Sequence, residues 1–356
     1  MENSNNTNCC REFLFCVKLS YNTNMTASAK KMSLGQFFTK NDFWLKDHIL
    51  EFIKSTNTEI AFDPFAGVGD LLNVAQKIGF TKTKGFDIDK NLNWKINDSL
   101  LNIPKIENSI IITNPPYLTN YSAKRKGIYK NVKKYFDLYN YDDIYQLAIE
   151  KCLINDFGIM IVPETFINSK FPKNRLVSIT IIEESLFKDT EIPICVICFD
   201  NKNKSLDQID IYKNNKMIGT LGYFEKMRLT PNKNIYLKFN SPRGQIALRA
   251  VDTTNPKNPI SFMRPEEINY NLSNIKHSSR LITVIELGAE QEKIDKIIDF
   301  SNKLLFDFRN KTHDVLLSPF KGNKKNGERR RRLDYQTARA IIEEAHKKAN
   351  PSLTLF

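Results

Sequence analysis

Apolar residues in this chain fall into two alternating patterns. One is a set of short, nearly unbroken runs: near Glu59 to Asp63, up to Asp87, at Ile110 to Thr113, Ile159 to Val162, Val177 to Ile182 and Ile194 to Phe199. Runs this short and this apolar read as strands buried on both faces. The other pattern is helical. Leu45, Ile49, Phe52 and Ile53 share a face in a segment running to about Lys54, with Asn41 placed to cap it. Similar spacing marks the stretch through Ile78 and the segment Ile144 to Leu153. Strands alternating with helices predict an α/β fold whose ligand sits at the carboxyl ends of the strands. The texture changes after Asp200. Asn201-Lys202-Asn203-Lys204-Ser205 reads as a turn or linker, and beyond it short strand-like pieces mix with prolines up to about Arg280. Helical periodicity returns over Gln291 to Phe308 and Tyr335 to Ala349. The expected organisation is a weakly ordered, Asn-rich extension over residues 1–31, an α/β unit over 32–204 and a mixed α+β unit over 205–356.

Two of the predicted strands lead into residues that suit a nucleoside. Asp63-Pro64-Phe65-Ala66-Gly67-Val68-Gly69-Asp70 joins a strand to a helix, and its two glycines permit positive φ and close approach of the backbone to a ligand. The next strand ends at Asp87-Ile88, and an acid at such a tip accepts hydrogen bonds from ribose hydroxyls. A nicotinamide dinucleotide is one ligand for this arrangement. However, Leu72 occupies the place of the third glycine in G-x-G-x-x-G. Asp63 and Asp70 also suit a cationic or zwitterionic ligand better than a pyrophosphate. S-adenosylmethionine meets both conditions, with its ribose at Asp87 and its amino acid end at the turn.

The strand at Ile110 to Thr113 runs into Asn114-Pro115-Pro116-Tyr117. The lone pair of a planar NH2 group is delocalised, so its nitrogen attacks poorly. A carboxamide oxygen from Asn114 and the carbonyl of Pro115 can each accept one amino hydrogen, which lets the nitrogen pyramidalise. The prolines stiffen the backbone and remove competing amide donors. Tyr117 offers a flat face for a planar ring.

These residues resemble the gamma-group adenine-N6 DNA methyltransferases of restriction–modification systems. The resemblance covers roughly residues 32–200 and rests on motif order: Gly35-Gln36-Phe37-Phe38-Thr39, then Phe65-Ala66-Gly67-Val68-Gly69, then Asn114 to Tyr117. It implies a Rossmann-like, S-adenosylmethionine-dependent sheet followed by a target-recognition domain. It makes Thr39 a contact for the methionine end of the cofactor and Asp98 a partner for its adenine amino group. The implied cofactor set is Thr39, Asp63, Pro64, Ala66, Gly67, Gly69, Asp87, Ile88 and Asp98. The implied substrate is double-stranded DNA, with a separately encoded cognate endonuclease as a further partner. The same tetrapeptide also occurs in enzymes that methylate RNA bases or a glutamine amide of proteins, so those readings stand beside it.

Charge adds to this picture. The chain has 356 residues and a formal net charge of +13, a balance that favours a polyanionic partner. The cations cluster: Lys124, Arg125, Lys126, Lys130, Lys133 and Lys134 follow the tetrapeptide, and Lys321, Lys324, Lys325, Arg329, Arg330, Arg331 and Arg332 form a second group with only Glu328 against them. Both are expected to touch phosphates. Arg243, Arg249 and Arg264 are of the type that reads guanine edges. Cys195 and Cys198 form a C-x-x-C inside an apolar run, where residues three apart face opposite sides of a strand. They read as buried thiols rather than metal ligands, and the four histidines form no metal pattern. No apolar run approaches 18 residues, so no membrane span is expected. The scattered cysteines and unpatterned histidines make a reducing cytoplasm the default and no metal the expectation.

Overall fold

The computed structural model describes residues 42–138, 141–184, 191–275 and 279–351. The segment Gly35 to Thr39 and the capping position Asn41 therefore lie outside the described residues, as does the expected extension.

Helix α1 (Asp47–Thr56) buries Ile49 and Ile53 and ends at Asn57 in the left-handed conformation. Then come β1 (Ile60–Asp63), α2 (Asp70–Lys77), β2 (Lys82–Asp87), β3 (Lys95–Ile96) and β4 (Ser109–Thr113). Two short helices, α3 (Asn120–Arg125) and α4 (Tyr129–Leu138), precede α5 (Ile144–Cys152). Next are β5 (Phe157–Pro163), β6 (Leu176–Ile182), β7 (Ile194–Phe199), β8 (Asp210–Lys213) and β9 (Lys216–Thr220). All nine strands form one sheet in the order β3-β2-β1-β4-β5-β7-β6-β8-β9. β3, β2, β1, β4 and β5 are parallel, and β7 is inserted antiparallel between β5 and β6. The all-apolar strands β4 and β7 are buried along their whole length, as expected for strands covered on both faces. The thiols of Cys195 and Cys198 are fully buried in β7.

The expected boundary at residue 204 is corrected. β8 pairs parallel with β6 and β9 pairs with β8, so the main sheet continues to Thr220, and residues 201–205 are a turn within it. Beyond a short α6 (Leu221–Glu225) lies a second sheet of β10 (Leu237–Phe239), β11 (Ile246–Arg249), β12 (Ser261–Met263) and β13 (Ile282–Leu287), in the order β10-β13-β11-β12. The long helix α7 (Ile294–Thr312) and α8 (Tyr335–Ala349) pack on it, and β14 (Ser318–Asn323) pairs with β15 (Arg329–Arg332) as a hairpin. One apolar core runs through both halves, from Trp44 to Ala349. Among the described residues no helix is long and apolar enough to cross a membrane.

Candidate active site

β2, β1 and β4 are neighbours in that order, so their carboxyl ends lie about 5 Å apart. The glycine turn, Asp87 and Asn114 therefore share one rim. Gly67 and Gly69 adopt φ of +54° and +91°. The turn is tied to the acid tip: the Gly67 N–H donates to Asp87 Oδ2 at 2.8 Å, and the Asp89 N–H donates to Oδ1 at 2.8 Å. A carboxylate has about four acceptor positions, so Asp87 can accept ligand hydroxyls as well. Around it stand exposed apolar side chains, Val68, Ile88 and Ile96. Pro64 and Ala66 are buried beneath the turn.

Trp94 was not singled out in the sequence, and it shapes this rim. Its indole N–H donates to the Gly67 carbonyl at 2.8 Å. A Cβ on Gly85 would lie 2.5 Å from its ring, and one on Gly69 would lie 3.0 Å away. The connection from β2 to β3 has no helix, and the indole fills part of the space beside the glycines. Its only sequence signal was a large aromatic following a predicted strand tip.

Asp63 sits under the turn rather than on its surface, 1 % exposed. Its Oδ1 accepts from the Thr113 hydroxyl at 2.5 Å and from the Phe65 N–H at 2.9 Å, which ties β1 to β4 one residue before Asn114. Burial pushes its carboxyl up to about 7, against those hydrogen bonds and with help from the charge of Asp87.

The Asn114 loop is clamped from outside by Asp143. Its Oδ1 accepts from the Leu118 N–H at 2.9 Å, and the same side chain caps α5 through the Tyr145 N–H. Asp143, too, is raised to about 7 by burial. It directly precedes the predicted helix at Ile144, but nothing local in the sequence points to its reach to Leu118. Within the loop, the Tyr117 hydroxyl donates to Asn114 Oδ1 and lies 2.8 Å from the Ile161 carbonyl. The Tyr117 ring is 7 % exposed and meets Tyr145 edge-on, with centroids 6.4 Å apart. The face expected to receive a planar ring is inside the protein in this conformation, so stacking there requires the side chain to swing out.

Other expected contacts are engaged by the protein itself. Asp98 Oδ2 accepts from Lys134 Nζ at 2.8 Å and from the Tyr135 hydroxyl at 3.0 Å. Lys133 pairs with Asp137 at 3.0 Å. Lys124, Arg125 and Lys126 are exposed on and after α3. The expectation of phosphate contact is corrected for Arg329 and Arg331, which are 7 % and 1 % exposed. Strand alternation turns both inward, where Arg331 Nη1 pairs with buried Glu164 and Arg329 Nη2 donates to the Ile182 carbonyl at 2.7 Å. Arg330 lies over the Phe320 ring, 4.8 Å from its centroid. Arg264 is paired with Asp295 at 2.6 Å. Thr39 lies outside the described residues.

No family model matches the chain, and no curated protein matches it in sequence. Distant solved structures do. A Listeria monocytogenes protein assigned to the class I S-adenosylmethionine-dependent methyltransferases shares 15 % identity over 50 % of this chain and 66 % of its own, with a TM-score of 0.36. The methyltransferase subunit of a type I restriction–modification system from Streptococcus thermophilus shares 15 % over 54 % of this chain and 52 % of its own, with a TM-score of 0.35. The M protein of the type I restriction enzyme EcoKI shares 12 % over 92 % of this chain and 74 % of its own, again with a TM-score of 0.35. The chain thus spans between half and two thirds of the length of the first two. At these identities the likeness is one of fold.

Proposed function

We propose that this chain is a DNA methyltransferase that transfers a methyl group from S-adenosylmethionine to N6 of an adenine extruded from double-stranded DNA. The observation that carries the reading is the Asn114-Pro115-Pro116-Tyr117 loop at the end of β4, beside a glycine turn held by Asp87 on the adjoining strand ends.

The residues present fit the donor. Asp87 is a ribose acceptor, Val68 and Ile88 give apolar cover for a base, and Gly67 and Gly69 leave room for close backbone approach. When bound, S-adenosylmethionine supplies a methyl carbon made electrophilic by its sulfonium. The protein's part is positioning. An amide oxygen has two lone pairs, so Asn114 Oδ1 can accept from Tyr117 and from a substrate amine together. The Tyr117 hydroxyl thereby sets the orientation of the carboxamide. Asp63, Thr113 and Asp143 hold the loop that carries it. An adenine stacked in a duplex cannot reach this rim, so it must be extruded at a cost of a few kcal/mol.

The test uses the purified chain with labelled S-adenosylmethionine and, separately, plasmid DNA, transfer RNA and a glutamine-containing polypeptide. The expected result is N6-methyladenine in DNA, detected by mass spectrometry of nucleosides. Asn114→Ala should lower kcat by about 10²–10³ or more while donor binding persists, the scale for loss of one positioned polar group at a reacting centre. Label that goes only to RNA or polypeptide overturns the DNA assignment, and full turnover by Asn114→Ala overturns the role given to that residue.

A further inference from the structure

We propose that the exposed face of α3, built on Tyr121 with Arg125 and Lys124, is a stacking platform for a DNA base close to the one that reacts. The proposal rests on the function proposed above and assigns part of its substrate surface.

Tyr121 is 73 % exposed, the highest value among the exposed large hydrophobic residues that the structure describes. A single exposed ring is unremarkable by itself. Its setting gives it meaning. α3 is suspended directly from the catalytic loop: Thr119 caps it through the Ser122 N–H at 3.0 Å, and the Asn120 N–H donates to the Asp142 carbonyl at 3.0 Å. Asp143, one residue on, holds Leu118. The ring of Tyr121 therefore stands on backbone pinned at the same points that pin Asn114.

Cations and rings alternate across this face. The Arg125 guanidinium lies 5.9 Å from the centroid of Tyr121, and Lys124 Nζ lies 5.0 Å from that of Tyr129. No acid occurs between Leu118 and Phe136. Lys133 and Lys134 are matched by Asp137 and Asp98. Among the described residues Lys124, Arg125 and Lys130 form no ion pair, and all three are exposed. The surface is thus an aromatic plane flanked by uncompensated positive charge. That is the chemistry of a single-stranded nucleic acid groove, in which rings stack on bases while cations track the backbone. Extrusion of one adenine leaves its neighbours unstacked on one side, and a ring beside the catalytic loop can take up such an exposed base face. A polypeptide brings neither the polyanionic backbone nor the row of aromatic bases that this face matches.

The test measures dissociation constants by fluorescence anisotropy for labelled oligo(dA), a mixed-sequence DNA duplex and an RNA strand, at several salt concentrations. Tyr121→Ala should weaken DNA binding by about 5- to 150-fold, the range for one stacked base, without changing the salt slope. Tyr121→Phe should stay within about twofold of the wild type, because the ring remains. Arg125→Ala should lower the salt slope by about one unit. Because Tyr121 is exposed, the fold of each variant is checkable by its circular dichroism spectrum. Wild-type affinity in Tyr121→Ala overturns the platform, and so does an equal loss in Tyr121→Phe, which would place the effect in the hydroxyl. RNA binding that depends on Tyr121 while DNA binding does not overturns the DNA assignment. A wild-type protein that binds none of the three probes overturns the proposed function together with this inference.

Discussion

Asp63 and Asp143 carry the Asn114 loop from its two sides, and burial raises both carboxyls to about 7. In the unfolded chain each ionises near 4. Between those values the folded state holds more protons, so the stability these groups supply is greatest in acid and is lost as pH rises from about 4 to 7. Asp63→Asn keeps an oxygen for Thr113 and Phe65 but cannot ionise. The stability of the wild type relative to Asp63→Asn should therefore fall across that window and level off above it, by a few kcal/mol at about 1.4 kcal/mol per pKa unit. Urea midpoints of both proteins from pH 4 to 8 test this, and parallel curves would refute it. Asp63 also shows what a sequence displays at this scale. Its place beside Gly67 marked it as part of the site, but its partner Thr113 lies 50 residues away and becomes a neighbour only through strand pairing. Asn114 was legible because its chemistry is carried by four consecutive residues. The inward turn of Tyr117 depends on Ile161 and Tyr145, which no local pattern connects to it.

At the scale of elements, β15 is the instructive case. Four successive arginines looked like a phosphate-binding surface, but a strand sends alternate residues to opposite sides, and Arg329 and Arg331 go inward. Glu164, at the end of β5, receives Arg331 and is 1 % exposed. The pair therefore joins the C-terminal hairpin to the same sheet rim that carries Asn114. Arg329 Nε lies 3.5 Å from Glu164 as well, so Arg331→Met leaves that buried carboxylate with one long ion pair in place of two and should cost about 3 kcal/mol. Adding Glu164→Gln removes the pair together and leaves only Arg329 charged there, so the double variant should lose less than the sum of the two single variants. Denaturant unfolding of the single and double variants measures the coupling. Additive losses would show that the contact is not a pair in the energetic sense. Helices were easier to read than this hairpin. Tyr335–Ala349 has the limits its periodicity predicts, because Asp334 caps it through the Gln336 and Thr337 N–H groups and apolar spacing marks one face. α1 begins at Asp47, later than its apolar spacing suggested, and β3 is a two-residue strand with no periodicity to detect.

For the molecule as a whole, the polar run at residues 201–205 suggested a boundary that packing does not respect. Ile211 of β8 is fully buried against the sheet, and the core continues without a break into α7 and α8. Asn168 Nδ2 donates to the Val315 carbonyl at 3.1 Å, and Asn323 Nδ2 donates to the Glu183 carbonyl at 3.2 Å, so polar contacts cross between the halves as well. Chains of this length commonly unfold in stages when their domains have separate cores. Here the shared core argues for one transition. Both tryptophans, Trp44 and Trp94, lie in the N-terminal half, whereas the longest helices, α7 and α8, lie in the C-terminal half. Tryptophan fluorescence therefore reports the large sheet, whereas far-ultraviolet circular dichroism reports the helices of both halves. The two urea curves should coincide. A dichroism transition that precedes the fluorescence transition would mean that the C-terminal half unfolds alone and that the contacts of Arg331, Asn168 and Asn323 are too weak to couple it to the rim. A chain ending at residue 204 should in turn fail to fold, because it would leave the β6 edge unpaired and Ile179 and Ile181 without the strand that borders them.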